Sequence, residues 1–109
     1  MGRYITTTGT AGVTTREISS STNAAVNDRV LVDTGSAVTI TLPANSDLLV
    51  NDTIQIIDAT ATASTNNITV SRNGSKINGA TDNLTIDVDG AIVTLIYTGS
   101  NYGWIVGAV

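Results

Sequence analysis

Apolar residues in this chain recur at every second position of short runs, and threonine fills many of the places between them. Val38-Thr-Ile-Thr-Leu-Pro43 puts Val38, Ile40 and Leu42 on one side of an extended strand and Thr39 and Thr41 on the other. That period belongs to a half-buried β-strand. Pro43 has no N–H to donate to a ladder, so it closes the strand and opens the connection to the next one. The next run, Asn51-Asp-Thr-Ile-Gln-Ile-Ile-Asp58, begins a second strand at Thr53. Apolar spacings of three and four residues never persist long enough to predict a helix.

From Asn27 onward the same grammar repeats. Asp28 to Asp33 sets Val30 and Val32 on one face, and Asp33-Thr-Gly-Ser36 supplies turn residues that predict a hairpin into the Val38 strand. Ala59 to Asn66 is small and polar and reads as a loop or exposed edge. Asn73-Gly74 predicts a type I′ turn, which would join Ile68 and Val70 to a short strand at Lys76-Ile-Asn78. Leu84-Thr-Ile-Asp-Val88 and Asp89-Gly90 predict another hairpin, into Ile92-Val-Thr-Leu-Ile-Tyr97. This last run is apolar on both faces, with Ile92 and Ile96 on one and Val93, Leu95 and Tyr97 on the other. A strand of that kind is covered twice, here by the opposite sheet and by a neighbouring subunit. Gly99-Ser-Asn101 then turns into Tyr102-Gly-Trp-Ile-Val106, where Tyr102, Trp104 and Val106 share a side.

About eight short strands between turn residues predict an all-β fold: an antiparallel β-sandwich or jelly roll spanning residues 23–109. Val38-Thr-Ile40, Ile68-Thr-Val70 and Leu84-Thr-Ile86 look alike, but their irregular spacing is that of strand chemistry and not of a solenoid repeat. Residues 1–22 differ. Their large apolar side chains are limited to Tyr4, Ile5, Val13 and Ile18, too few to order a sheet of their own. They predict an extended N-terminal arm, either frayed or added as a strand to a neighbour. Met1-Gly-Arg-Tyr-Ile-Thr6 fits the myristoylation pattern, which is short and permissive.

Composition narrows the function. The 109 residues suffice for one core, and a domain of this size buries roughly 65% of its unfolded surface. The chain has no Phe, so burial between subunits would help a sandwich built on Val, Ile and Leu. Net charge is −4, and Arg3, Arg16, Arg29, Arg72 and Lys76 are scattered, which argues against nucleic acid as a partner. No apolar run approaches the roughly 18 residues of a membrane span, and the first residues lack a leader's apolar core. No membrane partner is expected. Without Cys the fold uses no disulfide, and without His or Cys the usual general base and readiest nucleophile are missing. An enzyme, a cofactor and a small-molecule substrate are therefore not expected.

The acidic residues Asp52, Asp58, Asp82, Asp87 and Asp89 sit mostly at strand ends or turns, where Asp serves local backbone hydrogen bonds. Asp87-Val-Asp89-Gly90 opens like a calcium loop but lacks the later acid, so a turn is the better reading and no metal is expected. Four Asn-x-Ser/Thr tripeptides, at Asn51, Asn67, Asn73 and Asn83, read as strand boundaries. Tyr97, Tyr102 and Trp104 could form a sugar platform; packing or interface anchoring fits their alternate positions better.

The ordered series Val38–Pro43, Asn51–Asp58, Asn66-Asn-Ile-Thr-Val70, Ile92–Tyr97 and Gly103-Trp-Ile-Val106 resembles the β-domains of tailed-bacteriophage virion proteins. These include head decoration (cement) proteins and tail-fibre domains, with cyanophage proteins the nearest likeness. The resemblance implies a homotrimer on the outer surface of the capsid, bound to the major capsid protein, with the tail as the alternative location. It transfers no functional residue; the arm itself is where capsid or subunit contact is expected, by strand addition through Arg3, Tyr4, Ile5, Thr6, Thr7 and Thr8, and the last two strands are where a subunit interface is expected, at Ile92, Ile96, Tyr97 and Trp104. A tail-fibre or tail-tip receptor-binding module is the second expectation, using the Ala59–Asn66 loop and the Tyr102/Trp104 region.

Overall fold

A computed structural model describes residues 12–108. Nine strands account for the regular structure of these residues: β1 (Thr14–Ile18), β2 (Thr22–Asn23), β3 (Asp28–Val32), β4 (Val38–Thr41), β5 (Thr53–Asp58), β6 (Ile68–Ser71), β7 (Leu84–Ile86), β8 (Ile92–Tyr97) and β9 (Trp104–Ala108). A single 3₁₀ turn, Asn45–Asp47, interrupts them. The strands form a five-stranded sheet in the order β1-β3-β5-β8-β9 and a four-stranded sheet in the order β2-β4-β6-β7. Alternation decides which residues turn inward. Val30, Val32, Ile54, Ile56, Val93 and Leu95 of the first sheet share one apolar core with Val38, Ile40, Ile68, Val70 and Ile86 of the second.

The all-β class holds, whereas the pairing departs from the antiparallel expectation. β1, β3 and β5 run parallel, as do β2, β4 and β6; β7, β8 and β9 are added antiparallel. The chain therefore steps from sheet to sheet, β1 to β2, β3 to β4 and β5 to β6, and stacks each step in register on the one before. Two expected hairpins do not form, because the turns between β3 and β4 and between β7 and β8 carry the chain across to the opposite sheet. A third fails differently. At Asn73-Gly74 the tight turn exists, with φ of 48° and 91° and the Ser75 N–H donating to the Arg72 carbonyl at 3.2 Å. Beyond Ser75, however, the chain turns away: Ile77 bridges Ala80 and Trp104, and β6 takes β7 as its partner. The β8–β9 hairpin forms as expected.

The alternating triplets meet in one sheet. Thr39, Thr69 and Thr85 lie side by side because Val38–Ile40, Ile68–Val70 and Leu84–Ile86 are successive neighbours. The expected arm is corrected over its second half: Thr14–Ile18 and Thr22–Asn23 belong to this chain's own sheets. An ion pair supplies what apolar content does not. Arg16 reaches the buried Asp28 carboxylate through Nε at 3.1 Å and Nη2 at 2.9 Å, and its Nη2 also donates to the Asn23 carbonyl, tying β1 to the end of β2. Residues 1–11 of the expected arm lie outside the described residues.

At the other end of the strands the crossings converge on Asp58, the last residue of β5. Its buried carboxylate accepts from Thr34 Oγ1 at 2.7 Å, Ala61 N at 3.1 Å, Ala63 N at 2.9 Å and Gly90 N at 3.0 Å. Burial pushes the carboxyl pKa up, and the hydrogen bonds from Gly90, Thr34 and Ala63 outweigh it, leaving the pKa lowered from the usual 3.8. A lowered folded pKa adds stability that is complete above the unfolded value and lost as pH falls through the folded one. Asp58→Asn turns an acceptor-only group into one carrying donors among donors, and is expected to cost about 3 kcal/mol at neutral pH. Thermal melts against pH check this: the two proteins should differ most near neutrality and converge below about pH 4.

Candidate interaction surface

The outward side chains of the five-stranded sheet fall into three rows, because parallel and antiparallel pairs alike place register partners side by side. The first row runs Glu17, Leu31, Ile57, Ile92 across β1, β3, β5 and β8. The middle row runs Thr15, Arg29, Gln55, Thr94, Gly107. The third carries Thr53, Ile96 and Ile105 on β5, β8 and β9. Two apolar bands thus flank a polar one. Arg29 Nε donates to Gln55 Oε1 at 3.0 Å, and Gln55 Nε2 donates to Thr94 Oγ1 at 3.2 Å, so the middle row is itself a hydrogen-bonded chain. Val13 and Asn27 join Arg29, Gln55 and Thr94 around a shallow hollow beside it.

Ile92, Ile96 and Ile105 stay 38%, 42% and 41% exposed. Scattered exposed isoleucines are ordinary; several sharing one flat face with half-buried Leu31 and Ile57 form a patch of the kind that marks protein contact. At the end where β8 turns into β9, Tyr102 is exposed, and the connection before β5 exposes Leu49 and Val50. Val50 lies against Gly99 of the β8–β9 hairpin.

The sequence-predicted interface splits in two. Ile92 and Ile96 face outward as expected. Tyr97 and Trp104 do not: they are 6% and 0% exposed, are cross-strand partners, and pack edge to face with centroids 5.4 Å apart. The reason is the phase of alternation, since Tyr97 follows Val93 and Leu95 onto the core side. Trp104 is accordingly withdrawn from any subunit or sugar contact. Arg3, Tyr4, Ile5, Thr6, Thr7 and Thr8 lie outside the described residues. Leu31, Ile57 and Ile105 are additions to the surface. Each could have been found by the signal applied to Ile92–Tyr97, because Val30-Leu-Val32, Ile54-Gln-Ile-Ile57 and Trp104-Ile-Val106 also carry apolar residues of both phases.

Several of the acidic residues are occupied by backbone. Asp52 Oδ2 accepts the Leu49 N–H at 2.7 Å, Asp89 Oδ1 accepts the Ser64 N–H at 2.8 Å, and Asp58 holds three backbone N–H groups. The Ala59–Asn66 loop is anchored by these bonds and by Thr34, whose hydroxyl meets those of Thr60 and Thr62 and whose carbonyl accepts from Asn66 Nδ2 at 2.9 Å. Among the described residues no three acidic side chains gather where a metal ion could be held.

Neither a protein-family model nor a curated protein matches this chain. The surface is therefore read from its own chemistry. At protein concentrations low enough for the unmodified chain to be monomeric, Ile92→Asp and Ile96→Asp are expected to leave the unfolding free energy within about 1 kcal/mol, since outward positions lose little on substitution. Leu95→Ala, one position away and wholly buried, is expected to cost about 2 to 5 kcal/mol. Denaturant unfolding of the three variants checks the assignment of the two faces.

Proposed function

We propose that this chain is a structural, non-enzymatic virion protein of a tailed bacteriophage, a decoration (cement) protein that binds the outside of the capsid and stabilises contacts between capsomers. The observation that carries this reading is the apolar outer face of the five-stranded sheet. Leu31, Ile57, Ile92, Ile96 and Ile105 offer a flat contact on a scaffold whose loops are tied down by internal hydrogen bonds. The likeness of the strand series to phage virion β-domains supplies the class of partner. In this reading the two facing sheets make a sandwich, three copies associate, and the arm residues Arg3–Thr8 reach the major capsid protein or a neighbouring subunit by strand addition.

A tail-tip or receptor-binding role is the second reading, favoured by one observation: Leu49, Val50 and Tyr102 are exposed at one end of the molecule, 74%, 59% and 59%. Burial of Trp104 and anchoring of the Ala59–Asn66 loop count against it, because they remove two of its expected contact elements.

Immunogold electron microscopy of intact virions, with antibody raised against the purified chain, separates the two. Gold distributed over the head is the expected outcome. Labelling confined to the tail or its tip would overturn decoration and point to host-surface ligands. Sedimentation should give a trimer for the unmodified chain and a shift towards monomer for Ile92→Asp.

A further inference from the structure

Asparagine followed by glycine occurs at two places in the chain, Asn73-Gly74 and Asn78-Gly79. This dipeptide carries a reaction of its own. The glycine backbone nitrogen, once deprotonated, attacks the Asn side-chain carbon Cγ, and glycine has no Cβ to shield that nitrogen. A bond forms between the glycine nitrogen and Cγ, the Cγ–Nδ2 bond breaks, and the side-chain amide leaves as ammonia. Water then opens the resulting succinimide ring at either of its carbonyls. The product is an aspartate or its isomer, in which the chain runs through the side-chain carboxyl.

Sequence and exposure do not separate the two places. Asn73, Gly74, Asn78 and Gly79 are all exposed, and the backbone is left-handed at each, with φ of 48° and 91° in the first pair and 51° and 77° in the second. Hydrogen bonding does separate them. Gly79 N donates to the Tyr102 carbonyl at 2.9 Å, and Asn78 Oδ1 accepts from Val106 N at 3.0 Å. Asn78 N also donates to the Trp104 carbonyl at 2.7 Å. The β8–β9 hairpin thus holds both the nucleophile and its target, and attack requires a local opening that breaks those bonds. At the other place the nucleophile is not held. Gly74 N has no hydrogen-bond partner among the described residues, and a Cβ added at Gly74 would meet nothing. Only the leaving group is engaged, through Asn73 Nδ2 donating to the Leu42 carbonyl at 2.9 Å.

We propose that Asn73 is a site of spontaneous deamidation in the folded protein, while the hairpin protects Asn78. The change reaches the sheet because Asn73 joins the exits of two neighbouring strands. Asn73 follows β6 and Leu42 follows β4, and Leu42 N donates to the Ser71 carbonyl at 2.9 Å. The acid formed at this position has no N–H for the Leu42 carbonyl and sets a negative charge against its oxygen. The isomer also lengthens the main chain inside a tight turn. Deamidation therefore loosens the end of the β4–β6 pairing. The inference does not depend on the proposed role in a virion.

Trypsin cuts after Arg72 and Lys76, which puts the two asparagines in separate peptides. The full-length chain is incubated at mildly alkaline pH, folded in one series and in denaturant in another, and the amide and acid forms of each peptide are followed by mass spectrometry. In denaturant the two should convert at comparable rates. In the folded protein Asn73 should convert roughly tenfold faster than Asn78 or more, the factor set by opening the bonds on Gly79 N and Asn78 Oδ1. Isoelectric focusing of folded Asn73→Ser, which cannot form the ring, should lack the main acidic species that accumulates in the unmodified chain. If folding slows Asn73 as much as Asn78, the turn itself blocks the attack and the proposal is overturned. Equally fast conversion of both in the folded protein would overturn it too, by showing that the hairpin gives no protection.

Discussion

One carboxylate joins three crossings between the sheets. Asp58 ends β5, and the donors it accepts come from the β3–β4 connection at Thr34, from the β5–β6 connection at Ala61 and Ala63, and from the β7–β8 connection at Gly90. Taking an ionised carboxylate out of water is costly, and only charge-assisted hydrogen bonds from well-placed donors offset it. The β5–β6 and β7–β8 loops contribute backbone N–H groups, of which that of the buried Ala63 has left water and needs an acceptor, and the β3–β4 loop contributes the hydroxyl of the buried Thr34. Neither side of the arrangement is stable without the other. This mutual dependence fixes how the chain leaves one sheet for the other at all three places, and so fixes the order of the strands.

The strands themselves were legible, because alternation is a local signal: seven expected runs, from Asp28 to Val106, contain β3 to β8 and the start of β9. Their partners were not. A turn such as Asp33-Thr-Gly-Ser36 bends the chain, but whether the next strand returns to the same sheet or crosses depends on Thr34 meeting Asp58, 24 positions away. No local pattern encodes that distance. The three apolar-Thr-apolar triplets show the same limit. They are true neighbours, yet loops of different length separate them, and the irregular spacing hid a stacked arrangement. β1 was misread for a different reason: its place is secured by Arg16 on a buried Asp28, with Ile18 its one apolar contribution to the interior, so hydrophobic periodicity had nothing to detect.

The interaction surface was half legible. Ile92–Tyr97 announced two covered faces, but a strand apolar in both phases does not say which phase is inside. Packing decides. The core has no Phe, and Tyr97 with Trp104 fills the space at the hairpin end that aliphatic side chains would leave open. Putting those rings inside forces Ile92, Ile96 and Ile105 outward, so the exposed patch results from the interior's need for bulk. The surface residues Leu31 and Ile57 obey the same constraint of alternation, each lying next to a buried aliphatic of the opposite phase.

A flat apolar sheet face has a weakness as an interface: aliphatic side chains slide over one another with little preference for alignment. The middle row counters this. Arg29, Gln55 and Thr94 are linked by side-chain hydrogen bonds between the two isoleucine bands, and Arg29 remains exposed with donors to spare. A partner that covers the bands must also meet those donors, because a polar group buried without a partner costs about 1 to 3 kcal/mol. Misaligned contacts incur that cost and aligned ones avoid it. In the proposed role the apolar rows would contribute affinity, while the polar row between them would select one register.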